Sequence, residues 1–190
     1  MSKPYFSPSE LDFLSSLHPP TRGFLIHFNC GTGAALDQWH QLGPDFDIQG
    51  VETSSSLREQ FSMNQNRAFS YCLWSQEHDM DPESFDVLHL SGVNEEDLTP
   101  KLLSKGSIVR YWELVSKGGL FLVEADLVND SDTGSPNGPS LKAPRISAPD
   151  PAADPLIESV RLFTAPDKKR VFLAIKKGDP VNSLPSCSLG

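Results

Sequence analysis

Apolar residues in this chain come in short runs that alternate with stretches of helical spacing. Ser7-Pro8-Ser9-Glu10 has the form of a capping box with proline at the first helical position, and Leu11, Phe13, Leu14 and Leu17 follow before Pro19-Pro20. This predicts a short N-terminal helix within residues 1–20. Phe24 to Phe28 is a brief apolar run ending in Asn-Cys-Gly-Thr-Gly, after which Ala34 to Leu42 takes helical spacing up to Gly43-Pro44. The order is strand, glycine turn, helix.

The same unit recurs. Asp47 to Glu52 reads as a second strand, Ser56-Leu57-Arg58-Glu59 as a capping box in a helix reaching about Asn64, and Ala68 to Leu73 as a third strand. Phe85 to Leu90 gives a fourth strand. Thr99-Pro100 opens a helix through Leu102, Leu103, Val109, Trp112 and Val115 to a Gly118-Gly119 stop, and Leu120 to Ala125 is a fifth strand. Strands alternating with helices imply a parallel sheet covered on both faces, because right-handed crossovers place the helices there. Ser159 to Thr164 and Val171 to Lys176 are separated by too few residues for a crossover, so an antiparallel hairpin should close the sheet.

Between Val128 and Pro155 lie six of the 16 prolines and no aromatic residue. Such a stretch predicts a flexible proline-rich loop, either a cover over the acceptor side of a site at the carboxyl ends of the strands or a disordered insertion with no role. The tail at 178–190, with Pro180 and Pro185, is expected to be disordered. No fixed-period repeat is present, and residues 1–177 are expected to form one domain.

Composition narrows the setting. The chain has 190 residues, 38% hydrophobic and 22% charged, which suits one globular domain with a buried core. With 25 acidic against 16 basic residues the formal net charge is −9, which would repel a phosphate backbone or an anionic membrane. Lys168-Lys169-Arg170 and Lys176-Lys177 are short and flank a strand, as solvated strand ends do. Nucleic acid and membrane are therefore not expected partners. The first residues lack the apolar stretch of a signal peptide, and no run approaches the ~20 apolar residues that span a bilayer. Cys30, Cys72 and Cys187 are odd in number and widely spaced, against a disulfide framework, so a cytoplasmic location is expected.

The strongest chemical signal is Leu25-Ile26-His27-Phe28-Asn29-Cys30-Gly31-Thr32-Gly33. Glycines at 31 and 33 allow positive φ and let a ligand lie against the main chain, with the next helix directing free N–H groups toward it. Glu52 ends the second strand, where an acidic side chain can accept hydrogen bonds from both hydroxyls of a ribose. A nucleoside-containing ligand follows. Dinucleotide folds also want a small residue three positions after the second glycine, and Leu36 stands there, which disfavours an NAD-dependent oxidoreductase.

On these residues the chain resembles the class I S-adenosylmethionine-dependent methyltransferases. The resemblance runs from about Phe24 to Lys176 and rests on Cys30-Gly31-Thr32-Gly33, Gly50-Val51-Glu52-Thr53-Ser54, Ser84-Phe85-Asp86-Val87, Lys117-Gly118-Gly119-Leu120-Phe121 and the closing hairpin. It implies an α/β, Rossmann-like, doubly wound, mostly parallel seven-stranded sheet of order 3-2-1-4-5-7-6 with a C-terminal antiparallel hairpin. It also implies S-adenosylmethionine as cofactor and methyl transfer to a small molecule. Gly31 and Gly33 would lie beneath its methionine part, Glu52 at its ribose, Leu73 or Trp74 near its adenine, and Ser91 close to the methyl group, with His27, Asn29, Cys30 and Thr53 also expected among the cofactor-binding residues. Trp74 also suits a core or rim position.

Two positions depart from the family's glycine motif: His27 stands for its acidic residue and Asn29 for its first glycine. Loss of that carboxylate removes a partner near the cofactor's ammonium group, so a non-catalytic relative that keeps the fold as a binding or regulatory module is the alternative reading. Cys30 beside the turn reads as a small residue in a tight bend. No residue is singled out as catalytic, because methyl transfer depends largely on alignment of the acceptor with the sulfonium methyl. His89 could act as a base but by strand alternation suits a core histidine, Glu124 with Asp126 is a thin candidate for a metal, and no metal site is expected.

Overall fold

The structure is a computed structural model. It describes residues 4–54, 56–57, 70–73, 80–94, 97–99, 101–104, 106–127, 149, 154–166 and 169–179. Helix α1 (Pro8–Ser16) begins where the sequence places it: the Glu10 carboxylate accepts the Ser7 N–H at 2.6 Å, closing the first turn. Then come β1 (Arg22–Phe28), α2 (Ala34–Leu42), β2 (Asp45–Glu52), β3 (Ser70–Leu73) and β4 (Phe85–Asn94). A short 3₁₀ turn (Leu102–Ser104) leads to α3 (Gly106–Leu114), followed by β5 (Val115–Asp126), β6 (Ile157–Thr164) and β7 (Arg170–Lys177).

These strands form one seven-stranded sheet in the order β3-β2-β1-β4-β5-β7-β6. Pairing is parallel from β3 to β5 and antiparallel at β5–β7 and β7–β6. Order and closing hairpin are those the resemblance implied. Alternation along the strands sorts the core into two layers. Ile26, Phe28, Leu88, Leu90, Phe121, Val123 and Leu173 pack with α3 on one face; Leu25, Val87, Leu120, Leu122 and Phe172 pack with α1 and α2 on the other.

Several boundaries differ from the sequence reading, three of them with consequences for the fold. The helix expected from Thr99 to Gly119 is a 3₁₀ turn and then α3, ending at Leu114, and β5 begins at Val115 opposite Phe85. The apolar spacing of Val109, Trp112 and Val115 runs across the junction, so periodicity did not mark it. Gly118 (φ +75°) bends the chain inside the strand instead of stopping the helix, and Gly119 lies so close to the Ser116 and Asp86 carbonyls that a Cβ would stand 2.8 and 2.9 Å from them. Strand β4 continues past Leu90 to Asn94 after a register shift between Leu90 and Val93. Gly178, placed in the frayed tail, donates to the Leu156 carbonyl at 2.8 Å.

Of the third predicted helix, Ser56 and Leu57 are helical, and its continuation to Asn64 lies outside the described residues. The proline-rich segment at 128–155, apart from Pro149, Asp154 and Pro155, and the tail beyond Asp179 also lie outside them. No helix among the described residues is long and apolar enough to cross a membrane.

Candidate functional site

The site lies at the carboxyl edge of the sheet, where a parallel α/β architecture leaves its strands open to ligands. Strand β1 ends at Phe28 and the chain turns through Asn29 (φ +57°), Gly31 (φ +56°) and Gly33 (φ +78°), the last being the N-cap of α2. The turn is tied down from three sides. The Cys30 N–H bonds the Val51 carbonyl at 3.1 Å, the Gly33 N–H bonds the Cys30 carbonyl at 2.9 Å, and the Asn29 amide donates to the Ser91 carbonyl at 2.8 Å. Among the described residues a Cβ built on Gly31 would meet nothing within 4 Å, so the main chain there is open to close approach. Cys30 is buried, its sulfur against Gly50.

Glu52 stands where the sequence placed it, with its carboxylate turned back on the main chain. One oxygen accepts the Gly31 N–H at 2.7 Å; the other accepts the N–H groups of Thr53 and Ser54 at 2.8 and 3.0 Å, with the Thr53 hydroxyl at 3.4 Å. Glu52 thus fixes the glycine turn against the end of β2, and among the described residues the oxygen facing Gly31 carries a single donor. The Leu73 backbone pairs beside Glu52 in β3, and Trp74 lies outside the described residues.

On the α1/α2 face, each central strand changes from apolar to polar as it nears this edge: Leu25 to His27, Val87 to His89 and Ser91, Leu122 to Glu124. The polar ends converge on one carboxylate. Glu124, 3% exposed, accepts from the Tyr5 hydroxyl at 2.9 Å to each oxygen, from Ser91 Oγ at 3.1 Å, from His89 Nε2 at 2.9 Å and from Arg170 Nη1 at 3.1 Å. Arg170 also donates to the Glu10 carboxylate at 2.8 Å and to the Tyr5 carbonyl at 2.7 Å, which binds the start of the chain to β7.

The partners assign the tautomers. The Trp39 indole N–H can only donate, and it meets His89 Nδ1 at 3.2 Å, so the His89 proton sits on Nε2 and points at Glu124. The Ser91 hydroxyl donates to Glu124 and therefore accepts from His27 Nε2 at 2.7 Å. The two imidazoles stack with centroids 3.9 Å apart, and His27 Nδ1 is buried without a hydrogen-bond partner. Burial, and then His89 beside it, hold His27 well below the usual histidine range, so it is neutral. Burial alone would raise the Glu124 carboxyl, but the His89 N–H, the charge of Arg170 and the Tyr5 hydroxyl hold it below its ordinary value. Burial and the facing Glu124 charge push the Tyr5 phenol up, and it stays protonated.

His27, Asn29, Cys30, Gly31, Gly33, Glu52, Thr53 and Ser91 are therefore all at or beside this edge, in two groups. The glycine turn with Glu52 forms one; His27 and Ser91 belong to the Glu124 network. His89 is a core histidine with both ring nitrogens engaged, and Glu124 is committed to its donors rather than paired with Asp126. Among the described residues no group of three or more side chains is arranged to hold a metal ion. Tyr5, Glu10, Trp39 and Arg170 were missed by the sequence reading, because Tyr5 meets Glu124 across 119 residues and Arg170 reaches back to Tyr5 across 165. A shallow cavity of about 260 Å³ by Ser16, Leu120 and Lys176 lies at the opposite edge of the sheet and shares no residue with this site.

Comparison with solved structures supports the fold. A phosphoethanolamine N-methyltransferase 2 from Haemonchus contortus, solved with S-adenosyl-L-methionine, matches 93% of this chain over 54% of its own length, with a TM-score of 0.61 and 12% identity. An S-adenosylmethionine-dependent methyltransferase from Mesorhizobium loti matches 90% of this chain and 98% of its own, with a TM-score of 0.54 and 14% identity. A protein of Bordetella parapertussis described as a possible exported protein matches 94% and 77%, with a TM-score of 0.57 and 13% identity. The chain thus spans about half the length of the nematode enzyme. No protein-family model and no curated protein matched the sequence. At these identities the likeness establishes the architecture: a class I methyltransferase fold.

Proposed function

We propose that this chain is an S-adenosylmethionine-dependent methyltransferase acting on a small molecule. The observation that carries the reading is the open face of Gly31, where a Cβ would meet nothing within 4 Å among the described residues, with the Glu52 carboxylate beside it. A nucleoside needs these two features: main chain it can approach closely, and an acceptor for ribose hydroxyls. Gly31 and Gly33 would carry the methionine part, and the Glu52 oxygen that accepts the Gly31 N–H would also accept from the ribose. Bound there, the sulfonium supplies an electrophilic methyl group.

The chain's own residues supply order and charge. Neutral His27 cannot stand in for a carboxylate, and the carboxylate linked to it is Glu124, through the Ser91 hydroxyl. Asn29 and Ser91 tie the ends of β1 and β4 together, which restrains the groups an acceptor would meet. The formal charge of −9 favours a small molecule over a nucleic acid or an anionic membrane, in keeping with a cytoplasmic enzyme.

One observation favours the second reading, a non-catalytic module on the same fold: the Glu124 carboxylate is filled by donors from four of the chain's own residues. Thermal denaturation with S-adenosylhomocysteine and with NAD decides between them. A ligand that binds only the folded state stabilises it by about 2.7 kcal/mol at a hundredfold excess over Kd. The enzyme reading expects S-adenosylhomocysteine to raise Tm and NAD to leave it unchanged. No shift with S-adenosylhomocysteine at millimolar concentration would refute it.

A further inference from the structure

We propose that the place filled by the Tyr5 side chain is a binding place for an aryl hydroxyl, and that Tyr5 stands in for that ligand from within the chain. The proposal rests on the methyl-transfer reading only in naming this ligand as the acceptor; the binding place stands on its own contacts.

Those contacts describe a phenol at both its hydroxyl and its ring. The Tyr5 hydroxyl donates at 2.9 Å to each oxygen of a buried carboxylate and lies 3.5 Å from Ser91 Oγ. The Arg170 guanidinium carbon lies over the ring at 4.8 Å from its centroid; Phe6 at 5.0 Å and His27 at 6.4 Å meet it edge to face. The charges select against other chemistries. An ammonium would be placed against the Arg170 guanidinium and a carboxylate against Glu124, whereas a neutral ring bearing one hydroxyl satisfies both. An aliphatic alcohol would reach Glu124 but leave the guanidinium without a π face.

The walls do not depend on Tyr5. Glu124 keeps Ser91, His89 and Arg170; Ser91 keeps His27; Arg170 keeps Glu10. Withdrawal of the phenol therefore removes one donor from a carboxylate that retains the others. The adjoining residue is the anchor: Phe6 is 1% exposed, its N–H bonds the Gln38 side-chain oxygen at 2.6 Å and its carbonyl accepts from Gln38 Nε2 at 3.2 Å. Tyr5 itself is only half-buried, so its side chain can leave while Phe6 stays seated.

Calorimetric titration of the wild-type protein and Tyr5→Ala with p-cresol, and with toluene as the analogue lacking the hydroxyl, tests this in the absence of any cofactor. Tyr5→Ala should bind p-cresol at least tenfold more tightly than wild type does, and at least tenfold more tightly than it binds toluene. Equal binding of the two probes, or no gain over wild type, overturns the proposal. Should Tyr5→Ala fail to fold, Tyr5→Phe keeps the ring packing but gives up the donor to Glu124, so p-cresol should displace it more easily and bind several-fold more tightly than to wild type. Equal binding to Tyr5→Phe and wild type also overturns the proposal. A protein that passes these titrations and does not bind S-adenosylhomocysteine would retain the aryl hydroxyl place and lose the methyl-transfer reading.

Discussion

Glu52 serves two purposes at once, and the double duty sets what its removal should do. Its carboxylate satisfies the N–H groups of Gly31, Thr53 and Ser54 and also offers the oxygen proposed for the ribose. Glu52→Ala should weaken S-adenosylhomocysteine roughly 10- to 150-fold, the ~1.5–3 kcal/mol of hydrogen bonds to a charged group, as read by calorimetry. It should also lower Tm without ligand, because the turn loses its brace. His27 makes a different prediction. Its pKa is depressed in the folded protein while the unfolded chain protonates near the usual value of about 6.5, so its contribution is complete above that pH and is lost as pH falls below it. The loss can reach about 1.4 kcal/mol per pH unit. Denaturant titrations from pH 7.5 to 5 should show stability falling, with a shallower slope in His27→Gln, whose amide can still donate to Ser91; parallel slopes would contradict this.

At the scale of elements, the unit from β1 through the glycine turn and α2 to β2 was legible because its signals are local: a capping glycine, helical spacing and a short apolar run all lie within a few residues of one another. Its tight packing was not. Gly50 has no bend to make; it is small because a Cβ would come within 2.8 Å of both Cys30 Sγ and Leu36 Cδ1. Gly50→Ala should destabilise by about 1–3 kcal/mol through overpacking. Gly119→Ala should lower Tm more, since its close neighbours are backbone carbonyls, which cannot turn away as side chains can. The α3–β5 junction was misread for an opposite reason. Val115 fits the helical stripe of Val109 and Trp112, and only pairing with Phe85, a long-range contact, commits it to the strand.

Across the whole molecule, the succession of elements indicated a parallel sheet ending on a hairpin and the family resemblance implied its strand order, while half of the site could not be read. Glu52 was marked by its place at a strand end, and His27 and Ser91 by the family resemblance. Tyr5, Glu10 and Arg170 join the same edge from the start of the chain and from β7, and no sequence spacing records that meeting. Strand alternation offered a partial signal, since residues 27, 89, 91 and 124 fall on one face once the strands are aligned. Arg170 is the tie among these parts, with its side chain 19% exposed. Arg170→Met should cost about 3–5 kcal/mol, because it leaves the Glu10 and Glu124 carboxylates buried without their cation. Chemical denaturation would measure it; a change within 1 kcal/mol would show that the other donors suffice alone.

The central claim is that the glycine turn holds the nucleoside of S-adenosylmethionine, and a side chain at Gly31 tests it most directly. Among the described residues Gly31→Leu meets no neighbouring atom at its Cβ and strains the turn only by the positive φ, about 1–2 kcal/mol. Calorimetric titration of S-adenosylhomocysteine into wild type should show one equivalent bound, and into folded Gly31→Leu at least tenfold weaker binding, with no heat from NAD in either. Binding of equal strength to both proteins, or none to wild type, would contradict the account.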